Sequence, residues 1–315
     1  MSRFRRVVLL WLAALLLGAC SLSAKKVDEV DRLVSANREI RLQCTPDETQ
    51  YCAITSPLLE QGAADLREGR QRVTLVEFGS DALTLRLHLI RAARERIDLQ
   101  NFILRKDMTG ELILNELLDA ARRGVKVRLL MDQMFSFSGA EYLVGLTMTH
   151  ANLEIRFYNP SFDKAKMANH DWLTGIACCF RRVNQRMHNK LLVVDDLIGV
   201  TGGRNVADRY FDFDTNYEFK DRDVIVFGRA AREMHSSFDW FWESPKTVPV
   251  QYLRDVAAQL LSGEPGDLHE YQPPERLSVV LRDAVDGQLM REVFVDLSFE
   301  VERLLYFSDR PRKLA

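Results

Sequence analysis

Between residues 187 and 209 the chain reads MHNKLLVVDDLIGVTGGRNVADR, and three groups in it can act on phosphorus. His188 carries an imidazole that titrates near neutral pH, so it can serve as nucleophile, acid or base. Lys190, two residues on, brings a point positive charge. Asn205 brings an amide donor just past Gly202 and Gly203, whose missing side chains would let backbone N–H groups approach a ligand closely. An anion fits this set, and phosphate is the natural one. An H-x-K pair on a strand is also what a solvated face looks like, and the residue types alone leave both readings open.

These side chains need a rigid carrier. Residues 189–194 are apolar and β-branched after a polar start, and 197–200 are apolar again. Asp195-Asp196 between them is short and turn-prone, which predicts a β-hairpin. Alternation along a strand puts His188 and Lys190 on one side. Asp195 has the opposite parity and sits at the turn, a structural place.

The spacing His188-x-Lys190-x4-Asp195-x6-Gly202-Gly203-x-Asn205 resembles the HKD signature of the phospholipase D superfamily, with Gly203 where many members have Ser. The runs IDLQNFIL at 97–104, GVKVRLLMD at 124–132, LEIRFYNP at 153–160 and RMHNKLLVVDD at 186–196 are most similar to the bacterial cardiolipin synthase branch, over residues 72–245. The resemblance implies phosphodiester exchange without a metal or other cofactor. It implies a catalytic set of His188, Lys190, Asp195 and Asp221. His188 attacks phosphorus and becomes a phosphohistidine. Lys190, Asn205, Gly202 and Gly203 hold the phosphoryl oxygens and stabilise charge in the transition state. Asp221, in FKDRDVIVFG, orients the imidazole, with Asp223 as the alternative. Two ordinary carboxylates at a strand start would look the same.

Members of that superfamily that work as single chains carry two motifs, the second histidine protonating the leaving group. The other histidines here are His88, His150, His170, His235 and His269, and none has a lysine two positions later. The expectation is half a site, completed by a homodimer or by a partner with a second HKD motif. The reading is a membrane-anchored phosphodiesterase or phosphatidyltransferase acting on phospholipid. Its alternatives are a dimeric endonuclease of the same superfamily, and a truncated half that binds lipid headgroups without turnover.

Composition bounds these choices. With 315 residues, 47% hydrophobic and 28% charged, the chain can bury a proper core. A net charge of −2 gives the whole chain no electrostatic reason to seek nucleic acid. A local basic cluster of Arg181, Arg182, Arg186, Lys190, Arg204 and Arg209 brackets the motif and suits a phosphate headgroup, or is a solvated loop. No His, Cys and carboxylate cluster has metal spacing.

Residues 1–20 read as a signal segment: Arg3, Arg5 and Arg6, then eleven apolar residues, too few to span a bilayer comfortably. They end in Leu17-Gly18-Ala19-Cys20, which resembles the bacterial lipobox, so Cys20 is the expected lipidation site. Ser21, directly after it, is similar to the residue at that position in lipoproteins sent to the outer membrane. The implied place is the cell envelope, lipid-anchored and facing the periplasm. Cys44 and Cys52 flank a Pro-Asp turn and could form a small disulfide. Cys178 and Cys179 are adjacent, and buried thiols are expected there.

From residue 71 strands and helices alternate. Strands are predicted at 72–78, 97–104, 125–131, 153–157 and 224–227. Helices are predicted at 81–96, 109–123 with Thr109 as N-cap, and 230–242. Residues 159–182 look irregular and read as a long loop near the site. Phe238, Trp240, Phe241 and Trp242 are either core or a membrane-facing patch. The expected fold is α/β, a phospholipase D-like half with a mixed β-sheet flanked by helices. The divisions are 1–20, an N-terminal segment at 21–70, the one-motif domain at 71–245, and a linker with helical extension at 246–315, an incomplete second half.

Overall fold

A computed structural model describes residues 22–304 and 306, other than 135, 137, 138 and 270. The signal segment and Cys20 lie outside the described residues. The strands are β1 Gln71–Val76, β2 Arg96–Asn101, β3 Lys126–Asp132, β4 Leu153–Tyr158, β5 Leu191–Val194, β6 Ile198–Gly202, β7 Asp223–Gly228, β8 Thr247–Pro249 and β9 Phe299–Glu300. Among the described residues they form one nine-stranded sheet, ordered β8-β4-β3-β2-β5-β6-β7-β1-β9. The β2, β3 and β4 neighbours are parallel and the other pairs antiparallel. Each parallel step runs through a helix, α4 (Met108–Arg122) or α5 (Ala140–Thr147), because parallel strands need a crossover.

The motif hairpin is β5–β6, at the middle of the sheet. Val194 and Leu197 close its turn with a 3.0 Å backbone bond, and Asp195 and Asp196 both have positive φ, 52° and 59°. That is the primed geometry whose twist matches the flanking strands, and Asp tolerates it. β5 is buried on both faces, which explains why its sequence is LLVV rather than an alternation. Leu192 and Val194 join a large core, while Leu191 and Val193 join a second one. Burying four such side chains, at roughly 1.5–3 kcal/mol each, makes this strand a stiff mount.

The large core gathers α1 (Ala24–Asn37), α2 (Pro57–Arg67), α3 (Gly79–Ala92), α4, α5 and α8 (Arg254–Ser262). Residues from both ends of the chain enter it, among them Val30, Val34, Leu277, Met290 and Phe294. The second core lies under α7 (Arg229–Trp242), whose Phe238, Phe241 and Trp242 are buried while Trp240 is exposed. Three of the four aromatics are therefore core.

Two local expectations are corrected. The N-cap of α4 is Asp107, not Thr109: its carboxylate accepts the Gly110 N–H at 3.1 Å, as Asp does well at that position. Residues 159–182 are not all loop, since Asn169–Val183 forms a helix, α6. Gly175 suggests a break, yet it sits inside the helix against Phe162 and Val183, where a Cβ would come 3.1 Å from a Val183 methyl. The helical path is interrupted at Cys179, with φ −140° and ψ 27°.

Candidate active site

His188 and Lys190 come just before β5, on the short approach to the strand. Both lie against the ring of Phe102, directly after β2. The His188 ring is 4.8 Å from it, centroid to centroid, and Lys190 Nζ is 5.3 Å from its centre. The shared platform shows that the two side chains project to one side. The β2–β5 register, with Gln100 opposite Leu191, brings Phe102 there. His188 is exposed and Lys190 is buried. Lys190 Nζ donates a 2.7 Å bond to the His188 carbonyl, and the Thr201 hydroxyl donates to the Lys190 carbonyl at 2.9 Å. Burial pulls the Lys190 ammonium down from 10.5 to about 8, opposed by the nearby Asp221 carboxylate.

The approach to β5 is pinned from below. Asp132, ending β3, accepts the Met187 N–H at 3.0 Å, the Met134 N–H at 2.9 Å and the Arg186 guanidinium at 3.1 Å. Arg186 also donates to the Asn159 carbonyl at 2.7 Å. Burial raises the Asp132 pKa, against the pull of Arg186 and the two N–H donors.

Asn205 is buried, and its Oδ1 accepts the Ile103 N–H at 3.0 Å. That bond occupies the oxygen end of the amide and leaves the NH2 end for donation, the polarity an anion requires. The Asn205 side chain also bonds the Tyr210 hydroxyl, whose pKa is raised by burial. Tyr210 stacks on Phe219 at 4.6 Å. Two residues later Asp221 sits against Gly203: a Cβ there would lie 2.6 Å from the Asp221 Cγ. Gly203 in place of Ser thus leaves room for the carboxylate.

Several expected members fall elsewhere. Asp195 is not in the catalytic group. It stands at the far end of β5 from His188, where its carboxylate accepts the N–H groups of Arg94, Glu95 and Arg96, each at 2.9 Å. Its role is to tie the hairpin turn to the start of β2. The Gly203 N–H is not open to a ligand either, because it donates to the Arg222 carbonyl at 3.1 Å. Gly202 pairs with Asp223 in the sheet, where a Cβ would lie 2.7 Å from the Asp223 Cα. These glycines admit close neighbouring strands and a carboxylate. Asp223 is fully buried and paired with Arg86 at 2.8 Å and Arg204 at 3.5 Å. Of the two carboxylates, Asp221 is the one near Lys190.

The basic cluster divides. Arg204 turns inward onto the carbonyls of Val76, Glu77 and Tyr210. Arg186 is held by Asp132, and Arg209 faces Asp214 at 3.9 Å. Arg181 and Arg182 stay exposed on α6. Cys44 and Cys52 are disulfide-bonded. Cys178 and Cys179 are also bonded to each other, and neither is buried, which overturns the expectation of buried thiols.

Sequence reasoning missed Phe102, Asp132 and Tyr210. Phe102 follows directly on β2, within the run predicted as a strand at 97–104, and pairing that strand with the motif strand would have pointed to it. Asp132 closes GVKVRLLMD, an apolar run whose terminal carboxylate was a visible signal. Tyr210 had none.

The chain is thus an α/β protein whose mixed sheet holds an imidazole, a depressed ammonium and an oriented amide at the ends of its central strands. The chain belongs to the phospholipase D superfamily and is cardiolipin synthase-like: residues 87–242 match the family described as cardiolipin synthase, PLD-like domain. Over 206 residues, 65% of the chain, it is 36% identical to an uncharacterized protein of Helicobacter pylori. Over 181 residues, 58% of the chain, it is 34% identical to Cardiolipin synthase C of Escherichia coli. These matches take in 40% and 37% of the relatives' own lengths, so the chain spans well under half of either. Among solved structures it is similar to NucT from Helicobacter pylori, with a TM-score of 0.41 and 18% identity, covering 57% of this chain and 99% of that one.

Proposed function

We propose that the chain is a phosphodiesterase or phosphatidyltransferase of phospholipids, working through a phosphohistidine on His188. The supporting observation is the arrangement on Phe102: an exposed imidazole and a buried ammonium side by side, with Asp221 near the ammonium. His188 attacks phosphorus and a new N–P bond forms. The P–O bond to the leaving alcohol breaks, and the electron pair goes to that oxygen. A second His188, from another copy of the chain, gives it a proton. Water or an alcohol then attacks phosphorus: a new P–O bond forms, the N–P bond breaks with its electron pair returning to the His188 nitrogen, and the attacking hydroxyl gives its proton to that second imidazole. Lys190 and the Asn205 NH2 group hold the phosphoryl oxygens while charge builds on them. Asp221 orients the His188 ring.

In this reading Cys20 is lipidated and holds the chain at the periplasmic face of the outer membrane. Support comes from the sequence of residues 1–21 alone. Among the described residues no helix is long and apolar enough to cross a membrane.

The test is trapping. Incubation with phospholipid labelled in its phosphatidyl group, followed by rapid denaturation, is expected to leave acid-labile label on wild type and none on His188→Ala. Light scattering in parallel is expected to give the mass of a dimer. Labelling of His188→Ala at the wild-type level would overturn the assignment. Cleavage of plain DNA without lipid turnover would move it to a nuclease, and that activity would fall steeply with salt.

A further inference from the structure

Helix α6 carries its apolar residues on the wrong side for a helix packed on a core. Trp172, Leu173, Ile176 and Phe180 are 37%, 72%, 60% and 57% exposed. Trp172, Leu173 and Ile176 lie within about 100° of one another around the helix, and Phe180, just past the break at Cys179, is likewise exposed. The residues the helix buries are Asp171, Gly175 and, at its end, Val183. Polar contacts fix the helix at both ends. Lys164 Nζ binds both oxygens of Asp171, at 2.9 and 2.8 Å, and Asn159 Nδ2 donates to the carbonyls of Arg182 and Gln185, each at 2.8 Å. The apolar stripe faces away from the protein while the helix itself is anchored.

Charge says what covers the stripe. From 164 to 186 the chain has five basic residues, Lys164, Lys166, Arg181, Arg182 and Arg186, against one acidic residue, Asp171. The whole chain has a net charge of −2. Lys166, Arg181 and Arg182 are exposed, flanking the stripe at its two ends. An apolar stripe with a tryptophan, bordered by arginine and lysine, is complementary to an anionic phospholipid surface. At 15 residues α6 is roughly 22 Å long, too short to span a bilayer, so it would lie in the interface plane.

We propose that α6 is a membrane-docking helix that inserts Trp172, Leu173, Ile176 and Phe180 into an anionic bilayer and so holds His188 at the level of the lipid phosphodiesters. The connection is short. Five residues after Val183, the last of α6, comes His188, and the intervening Arg186 and Met187 are pinned to Asp132. Insertion of an amphipathic face by about 5–10 Å leaves the polar side of the helix, and the chain leading from it, among the headgroups. This inference deepens the phospholipid reading above and rests on it for the identity of what is delivered.

The test is peptide-resolved hydrogen exchange on the full chain, with vesicles of phosphatidylglycerol and phosphatidylcholine, vesicles of phosphatidylcholine alone, or none. Exchange across 169–183 is expected to slow by about tenfold with the anionic vesicles only. The double substitution Leu173→Glu, Ile176→Glu is expected to abolish that protection and the turnover of vesicle lipid, while cleavage of a water-soluble phosphodiester stays at the wild-type rate. Circular dichroism of the variant checks that the fold survives, and the single Leu173→Ser is a milder second probe expected to reduce the protection. Unchanged exchange across 169–183 with anionic vesicles would overturn the proposal. So would protection that rises with protein concentration without lipid, since the stripe would then seat a second copy. Protection of α6 with no phosphohistidine and no lipid turnover would uphold the docking helix and sink the catalytic reading.

Discussion

The Lys190 ammonium donates a 2.7 Å hydrogen bond to the backbone carbonyl of His188, two residues before it. The charge-bearing group of the site is thus folded back against the residue that carries the proposed nucleophile. Both lie against Phe102, and the next residue, Ile103, fixes the Asn205 amide through its N–H. These functional groups are therefore referenced to the end of one central strand.

Removing the imidazole tests the chemistry with little effect on the fold. His188 is exposed, so His188→Ala is expected to shift stability by no more than about 0.5 kcal/mol in chemical denaturation. Phosphohistidine formation should vanish. A loss of several kcal/mol would mean that the ring is structural.

Lys190 makes the site sensitive to alkali. Its pKa is lowered to about 8, so in the free protein its charge is lost as pH rises through that value. Affinity for inorganic phosphate or a phosphate analogue is expected to fall above about pH 8 in wild type, and to be weak and flat with pH in Lys190→Met. The sign for stability is opposite. Between about 8 and 10.5 the unfolded chain binds more protons than the folded one, so stability rises with pH across that window. Lys190→Met removes this rise, which paired urea titrations at about pH 7.5 and about pH 10 would show.

Asp132 acts through its neighbours. Asp132→Asn keeps the shape but leaves Arg186, which is almost buried, facing a neutral group. A loss of about 3 kcal/mol is expected, with a larger fall in kcat than in substrate affinity, because Met187 and so His188 lose their anchor. Asp132→Glu is expected to rescue activity less than stability. Equal loss in kcat and in affinity would argue against a positioning role.

Gly203 separates fit from habit. Serine occupies this position in many superfamily members, yet a Cβ here would crowd the Asp221 carboxylate. Gly203→Ser is expected to reduce turnover by about tenfold, as Asp221 is displaced, with little change in the melting temperature. Turnover at the wild-type level would show that Asp221 has room to move without consequence.

The motif strand was legible because its signal is local. LLVV flanked by Asp-Asp and an apolar return predicts a buried hairpin, and the structure forms one at residues 191–202. Strands β1 to β4 and β7 and helices α3, α4 and α7 were equally readable from periodicity, whereas α5, β8 and β9 were not read. Helix α6 was not, because its apolar residues face outward and Gly175 mimics a break. Nor were the cysteine pair at 178–179 and the inward turn of Arg204.

The sequence by itself determined which groups are available and in what order: one imidazole, one ammonium and one amide, bracketing a hairpin whose first strand is a continuous apolar run. The tertiary structure decided who stands beside them. Phe102 under His188, Asp132 beneath Met187, Asp221 rather than Asp223 near Lys190, and Asp195 at the remote turn are all set by register between strands far apart in the chain. Periodicity encodes which face a residue takes, but a neighbour across the sheet depends on pairing and registry. Those are fixed only when the whole core closes around the strand.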